Sequence, residues 1–240
     1  MNPTSEPITR VMALYAHPDD PEFFSGGTLA KFGAEGVHLT YVLATSGDKG
    51  SDDPDMTRER LVAIREAEQR RAANCAGTNT VIFLRFFDGE LEPTLTLRRA
   101  LTRVIRQQKP DVVITNDPTA RWTPNGSINH PDHIAIGSAV LDAVYPSSRD
   151  RHTFVELWRD EGLEPHKVRQ VYLAGTNAPN YKIDITAVLD RKLEAIKQHV
   201  SQVKDPPGLE KRIRDGVDAE LTNRLGPTIY TESFHVLNLR

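Results

Sequence analysis

A single cysteine in 240 residues removes two explanations of the fold at once. Cys75 has no second thiol for an intrachain disulfide, and it excludes a cysteine-based zinc site. It sits at apolar spacing in a helical stretch and reads as packing. Charge excess is also missing: 30 Lys plus Arg stand against 33 Asp plus Glu, mixed along the chain, for a formal net charge of -3. That balance argues against nucleic acid or an anionic membrane as partner and leaves a small neutral or anionic substrate. No apolar run approaches the roughly 18 residues of a membrane span, and the opening "MNPTSEPITR" lacks the apolar centre of a signal peptide. The expectation is a cytoplasmic protein without a membrane segment. No repeat or low-complexity tract interrupts residues 1–240, which read as a single domain.

What is present is an alternation. Short runs rich in β-branched residues, at 10–16, 38–44, 81–85, 111–115 and 170–175, read as strands. Stretches of helical period fill the gaps at 27–36, 57–77, 95–108, 132–145 and 186–202. Such βα units predict an α/β domain with a mostly parallel sheet and helices on both faces. Two polar stretches, 146–167 and 203–230, carry no period and read as long loops serving as lids, as disorder, or as short extra helices.

Ligands of an open parallel sheet bind outside the carboxyl ends of its strands, and polar residues collect there. "HPDD" places His17, Asp19 and Asp20 after the first expected strand; Asp48 follows the second, Asp88 the third, Asn116 and Asp117 the fourth. The loop after the fourth reaches "NHPDH", Asn129 to His133, where the next helix opens. His17 and Asp20 can face one point, and so can His130 and His133. A carboxylate with two imidazoles makes a metal site with open positions, and the remaining groups are candidates for acid and base. Either motif alone also fits a helix N-cap whose aspartate favours the helix dipole. Both together, at strand-to-helix junctions on one rim, favour a site. No G-x-G-x-x-G follows the first strand, so this is not a dinucleotide fingerprint. Gly26 and Gly27 read either as a helix start or as room for a helix near the site.

"AHPDD" (Ala16 to Asp20) and "HPDH" (His130 to His133) resemble the paired motifs of the GlcNAc-PI de-N-acetylase (PIG-L, LmbE-like) family, which includes the bacterial deacetylases of bacillithiol and mycothiol synthesis. Weaker agreement runs through "GGTLAK", "TSGDKG", "FFDGEL", "KPDVVITNDP" and "KLEAIKQHVSQ" over nearly the whole chain. The resemblance implies a Rossmann-like fold and zinc-dependent hydrolysis of an N-acetyl group on a glucosamine unit. It implies His17, Asp20 and His133 as metal ligands, and Asp19 as general base. His130 would stabilise or protonate the tetrahedral intermediate, Asp132 would orient and charge-tune His130, and Arg65 and Asp88 would hold the sugar. Fe(II), Mn or Co are alternatives to zinc at such a site. Relatives are often trimers or hexamers, which leaves a homo-oligomer open here.

The chemistry agrees with that division: an amide is a poor electrophile, water is a poor nucleophile, and zinc addresses both. One family feature is missing. Some relatives carry a tyrosine two residues before the first histidine of the second motif, and this chain has Ile128 there, leaving Tyr15 or Tyr181 as substitutes. Trp122 is a candidate for stacking on a sugar face, and His199, in the last of the weaker motifs, has no assigned role. Two other functions compete with deacetylation of an amino sugar. One is a metal-dependent amidase acting on a different acylated molecule of thiol or antibiotic metabolism. The other is a non-catalytic sugar-binding module, against which the intact set of six polar residues speaks.

Overall fold

The computed structural model describes residues 6–78, 80–123 and 126–239. Strands β1 (Arg10–Tyr15), β2 (His38–Thr45), β3 (Val81–Phe86), β4 (Val112–Asn116), β5 (Gln170–Ala174), β6 (Tyr181–Asp184) and β7 (Thr231–Asn238) form a 7-stranded sheet in the order β3-β2-β1-β4-β5-β7-β6. The first five are parallel. β7 runs antiparallel to β5, and β6 antiparallel to β7, so the sheet is mixed.

Helices cover both faces, so the inner strands are apolar at nearly every position rather than at every second one. Met12 and Leu14 of β1 and Val113 of β4 join one core layer with Leu97 and Leu101 of α3 (Leu95–Gln108) and Ile136 and Val140 of α4 (Pro131–Asp142). Val11, Ala13 and Tyr15 point the other way. They meet Leu29 of α1 (Asp20–Ala34), Ala73 of α2 (Arg58–Ala76) and Leu193 of α6 (Leu189–Lys197). Local chemistry sets the helix limits. The hydroxyls of Thr57 and Thr94 accept the backbone N–H of Arg60 and Leu97, opening α2 and α3, and Gly77 closes α2 at φ 93°.

Two differences from the sequence reading have physical causes, and the two polar stretches take one of the forms that the sequence left open. The helix expected to open at Gly27 begins at Asp20, inside "HPDD", and bends at Ser25, whose φ of -146° breaks the helical ladder. Gly26 and Gly27 therefore lie at an internal kink. The polar stretches contain short helices: α5 (Val155–Arg159) in the first, α7 (Pro206–Asp215) and α8 (Ala219–Leu225) in the second. β6 and β7 were not visible as strands because they form the sheet's margin, where "YKID" and "TESFHVLN" are only intermittently buried. Among the described residues no helix is long and apolar enough to cross a membrane.

β7 contributes the group that repairs the α1 kink. The buried Glu232 carboxylate accepts Gly27 N at 2.9 Å and Thr28 N at 2.7 Å, serving as a cap from across the chain. Lys192 Nζ of α6 neutralises it at 2.7 Å and also donates to Phe23 O at 3.1 Å. Removing one member of a buried ion pair strands the other, at a cost of about 3–5 kcal/mol. Glu232→Ala is expected to lower unfolding stability by about that amount, read from the midpoint of urea denaturation.

Candidate metal centre and active site

β1 and β4 are neighbours, yet the helices that follow them lie on opposite faces of the sheet: α1 packs with α2 and α6, α4 with α3. Where strand order reverses in this way the two connections diverge and leave a crevice. The β1 connection carries His17, Asp19 and Asp20; the N-terminus of α4 carries His130, Asp132 and His133. Motifs more than a hundred residues apart in sequence thereby share one rim.

Donor atoms of His17, Asp20 and His133 lie within 4.8 Å of one another, as do those of His17, His130 and Asp132. In the first group His17 Nδ1 is 3.3 Å from Asp20 Oδ2, and His133 Nε2 is 3.1 Å from Asp20 Oδ1. His17 Nε2 faces two further carboxylates, Asp88 at 3.1 Å and Asp132 at 3.2 Å. Burial alone would lower the His17 pKa, but Asp20, Asp132 and Asp88 outweigh it and push the imidazole up to about 12. Burial raises the Asp20 carboxyl, and the imidazoles of His133 and His17 overcome this to hold it well below the usual carboxylate range. Three carboxylates focused on one imidazole call for positive charge, and a His–Asp–His donor set suits a divalent cation.

Asn129 supplies an orienting contact that the sequence did not single out. Its Nδ2 donates to Ala120 O at 2.7 Å, which turns Oδ1 toward His133 Nδ1 at 3.0 Å. An acceptor there requires Nδ1 to carry a proton, so that Nε2, which meets Asp20 here, is the nitrogen that would face a bound cation.

Asp19 does not join either donor group. It adopts φ 93°, the left-handed region that costs a non-glycine residue about 1–3 kcal/mol. Arg65 Nη2 holds Asp19 Oδ2 at 3.0 Å and donates to Pro18 O at 2.6 Å, while Nη1 reaches Gly47 O at 3.3 Å. Gly47 is required for this approach: a Cβ on its φ +67° backbone would fall on the guanidinium. Burial pushes the Asp19 carboxyl up, the charge of Arg65 opposes it, and the result is about 6. Arg65 borders the cleft, but its side chain is 5% exposed, its Nη1 and Nη2 are turned to Asp19 and to the carbonyls of Pro18 and Gly47, and its Nε is buried without a partner among the described residues, which leaves little for a sugar.

The expected link between Asp132 and His130 takes a different form. Asp132 N donates to His130 Nδ1 at 3.1 Å, whereas the carboxylate lies 4.0 Å from that nitrogen. The carboxylate instead accepts Gly89 N at 2.7 Å and Leu91 N at 3.3 Å and meets His17. An accepting Nδ1 makes His130 a neutral imidazole with its proton on Nε2, and burial together with His17 lowers its pKa. Its side chain is 42% exposed and lines a cleft of about 310 Å3 together with His17, Asp19, Lys49, Asp88 and Gly89. Asp88 thus sits on the cleft wall while one of its oxygens faces His17.

Neither tyrosine substitutes at the oxyanion. Tyr15 is buried with its hydroxyl donating to Ser25 Oγ at 3.0 Å, and Tyr181 lies on the edge strand β6 against Tyr172. Ile128 and Trp122 form an isolated β-bridge with exposed side chains, outside the residues lining this cleft.

The family model described as PIG-L, GlcNAc-PI de-N-acetylase, matches residues 12–144. The chain is 33% identical over 195 residues to a diacetylchitobiose deacetylase of Thermococcus kodakarensis, covering 81% of this chain and 70% of that protein. It is 32% identical over 215 residues to a probable N-acetyl-alpha-D-glucosaminyl L-malate deacetylase 2 of Bacillus anthracis, covering 86% and 88%. Its fold superposes on that of the N,N'-diacetylchitobiose deacetylase from Pyrococcus horikoshii with a TM-score of 0.84 at 31% identity, over 96% of this chain and 84% of the other.

Cation binding is expected to follow the donor geometry. By calorimetric titration with zinc, His133→Ala and Asp20→Asn lose binding, and Asn129→Ala weakens it about 10- to 100-fold through loss of the orienting contact.

Proposed function

The chain belongs to the GlcNAc-PI de-N-acetylase family and is a deacetylase, and from that premise we propose that it uses zinc to remove the N-acetyl group of an N-acetylglucosaminyl conjugate. One observation carries the reading: beside the His17, Asp20 and His133 donors stands a second carboxylate, Asp19, outside that donor group and lining a cleft together with His17 and His130. A sugar-binding module would need no such spared carboxylate.

His17, Asp20 and His133 would hold the cation. When bound, it polarises the acetamide carbonyl and lowers the pKa of water from about 15.7 toward about 7. Asp19 takes the proton of the water that attacks the carbonyl carbon; a carboxyl near 6 is ionised at neutral pH yet basic enough to accept it. The Nε2–H of His130 donates to the oxygen that gains charge, and the Asp132 N–H at Nδ1 keeps the proton on that side of the ring. As the C–N bond breaks, the proton on Asp19 passes to the amine nitrogen, so water has added across the amide to give acetic acid and an amine, which at neutral pH are acetate and an ammonium ion. Asp88 and Asp132 bind and orient the His17 ring throughout.

The cleft supports a conjugate rather than a lone sugar. It shares Lys49 and Gly50 with an adjoining cleft of about 440 Å3 lined by Ser51, Asp52, Ser201 and Gln202, hydroxyl, carboxylate and amide groups that suit a polar second unit.

Zinc-loaded protein is expected to release acetate from N-acetylglucosaminyl conjugates, and chelation to stop it. Asp19→Asn and His130→Ala should each keep zinc and lose about 100- to 1000-fold in kcat. Absence of acetate release from every conjugate with zinc bound, or release of longer acyl groups in its place, overturns the assignment.

A further inference from the structure

Behind Asp19 lies a line of buried polar groups that the hydrolysis itself does not use. Asp19 N donates to Gln69 Oε1 at 2.8 Å, Gln69 Nε2 donates to Glu22 Oε1 at 2.9 Å, and Glu22 Oε2 meets His199 Nε2 at 3.0 Å. Glu22, Gln69 and His199 are each 0% exposed. They come from three places: α1, α2 and the turn that follows α6. That turn is fastened twice more. Ser201 donates from N and Oγ to the Glu68 carboxylate at 2.8 and 2.7 Å, and Gln202 Nε2 donates to Gly50 O, on the cleft wall, at 3.0 Å.

Replacing a buried ion pair such as Glu22–His199 by well-packed apolar groups is often neutral or stabilising, so stability by itself is a weak account of this line. The geometry points to Gln69, Glu22 and His199 as positioning residues that hold Asp19 in its strained backbone conformation with the carboxylate facing the cleft. This rests on Asp19 being the base. At φ 93° the Asp19 N–H points inward and needs a fixed acceptor, which Gln69 Oε1 provides. An amide has two ends, and the wrong one would set N–H against N–H. Glu22, an acceptor when ionised, takes the Nε2 end of Gln69 and thereby presents Oε1 to Asp19; His199 occupies the other Glu22 oxygen and fixes that carboxylate. Arg65 grips the far end of Asp19, so backbone and carboxylate are held separately.

The test is a double-mutant cycle in the zinc-loaded enzyme, with acetate release, zinc content and thermal midpoint measured together. Gln69→Met keeps the length and removes both hydrogen bonds. It should lower kcat about 10- to 100-fold, with KM and zinc content unchanged. In the Asp19→Asn background the same change should cost nothing further, because its effect passes through Asp19. His199→Leu should match the loss, and His199→Gln, which keeps an N–H toward Glu22, should restore most of it. Gln69→Asn, one methylene short, serves as the second variant at that position. Equal losses in both backgrounds, a fall in thermal midpoint with kcat unchanged, loss of zinc, or failure of every variant at 69 and 199 to fold would each overturn the inference in favour of a structural role. A wild type inactive on all conjugates removes the deacetylase reading and this one with it; an active wild type with unaltered variants removes this one alone.

Discussion

Three carboxylates, those of Asp20, Asp88 and Asp132, converge on the imidazole of His17, and the concentration of negative charge in a buried crevice is what the neighbouring structure has to accommodate. Backbone N–H groups do part of this: His17 N turns to Asp20, Gly89 and Leu91 N to Asp132, Lys49 N to Asp88. The remaining demand is for positive charge, and His17 itself answers it when it holds a proton far above the ordinary imidazole range. A divalent cation among the same donors would answer it more fully, which ties cation affinity to the electrostatics of the fold rather than to the ligands alone.

Topology explains why this charge can be gathered at all. No single βα connection could place so many acidic and imidazole groups around one point without losing its own turn geometry. The sheet draws them from three connections: β1 to α1, β3 to α3, and β4 to α4. The reversal of strand order between β1 and β4 opens the space, and the loop after β3, with Asp88 and Gly89, closes one side of it. Close approach is then a matter of small residues. Gly47 admits the Arg65 guanidinium, and Gly137 of α4 lies against Asn116 O at the end of β4, where a side chain would displace the helix that carries His133.

The legible parts of the sequence were those whose signal is local. The five parallel strands are nearly continuous apolar runs because both faces are covered, and the two motifs sit at strand ends where the sheet delivers them. β6, the edge strand, and β7 beside it carry no such run, because both are only intermittently buried. The partners of site residues were least legible. Gln69 is one polar residue among many on a charged helix, and Glu22 follows "HPDD" like any first-turn acid. What distinguishes them is complete burial, a property of the packing of α1, α2 and α6 that no spacing rule encodes. Likewise the resemblance gave Asp132 the role of orienting and charge-tuning His130, whereas the fold uses the backbone of Asp132 for His130 and its carboxylate for His17.

Adjacency also frames the two aspartates of "HPDD". In a regular helix or strand, neighbours in sequence would experience similar surroundings or simply opposite faces. Here Asp19 takes a left-handed backbone at the cost of local strain, and the two carboxylates meet different partners: Arg65 for Asp19, His17 and His133 for Asp20. Asp20 is placed between His17 and His133 and stays ionised over the whole useful pH range, while Asp19, opposed by burial and met by Arg65, is carried up to about 6. A pair of carboxyl groups with pKa values driven apart is what acid–base chemistry at neutral pH requires, one group permanently anionic and one able to exchange a proton. The left-handed backbone at Asp19 and the burial of its partners thus accompany two adjacent carboxyl groups in opposite electrostatic surroundings, an arrangement that a regular βα junction would not give.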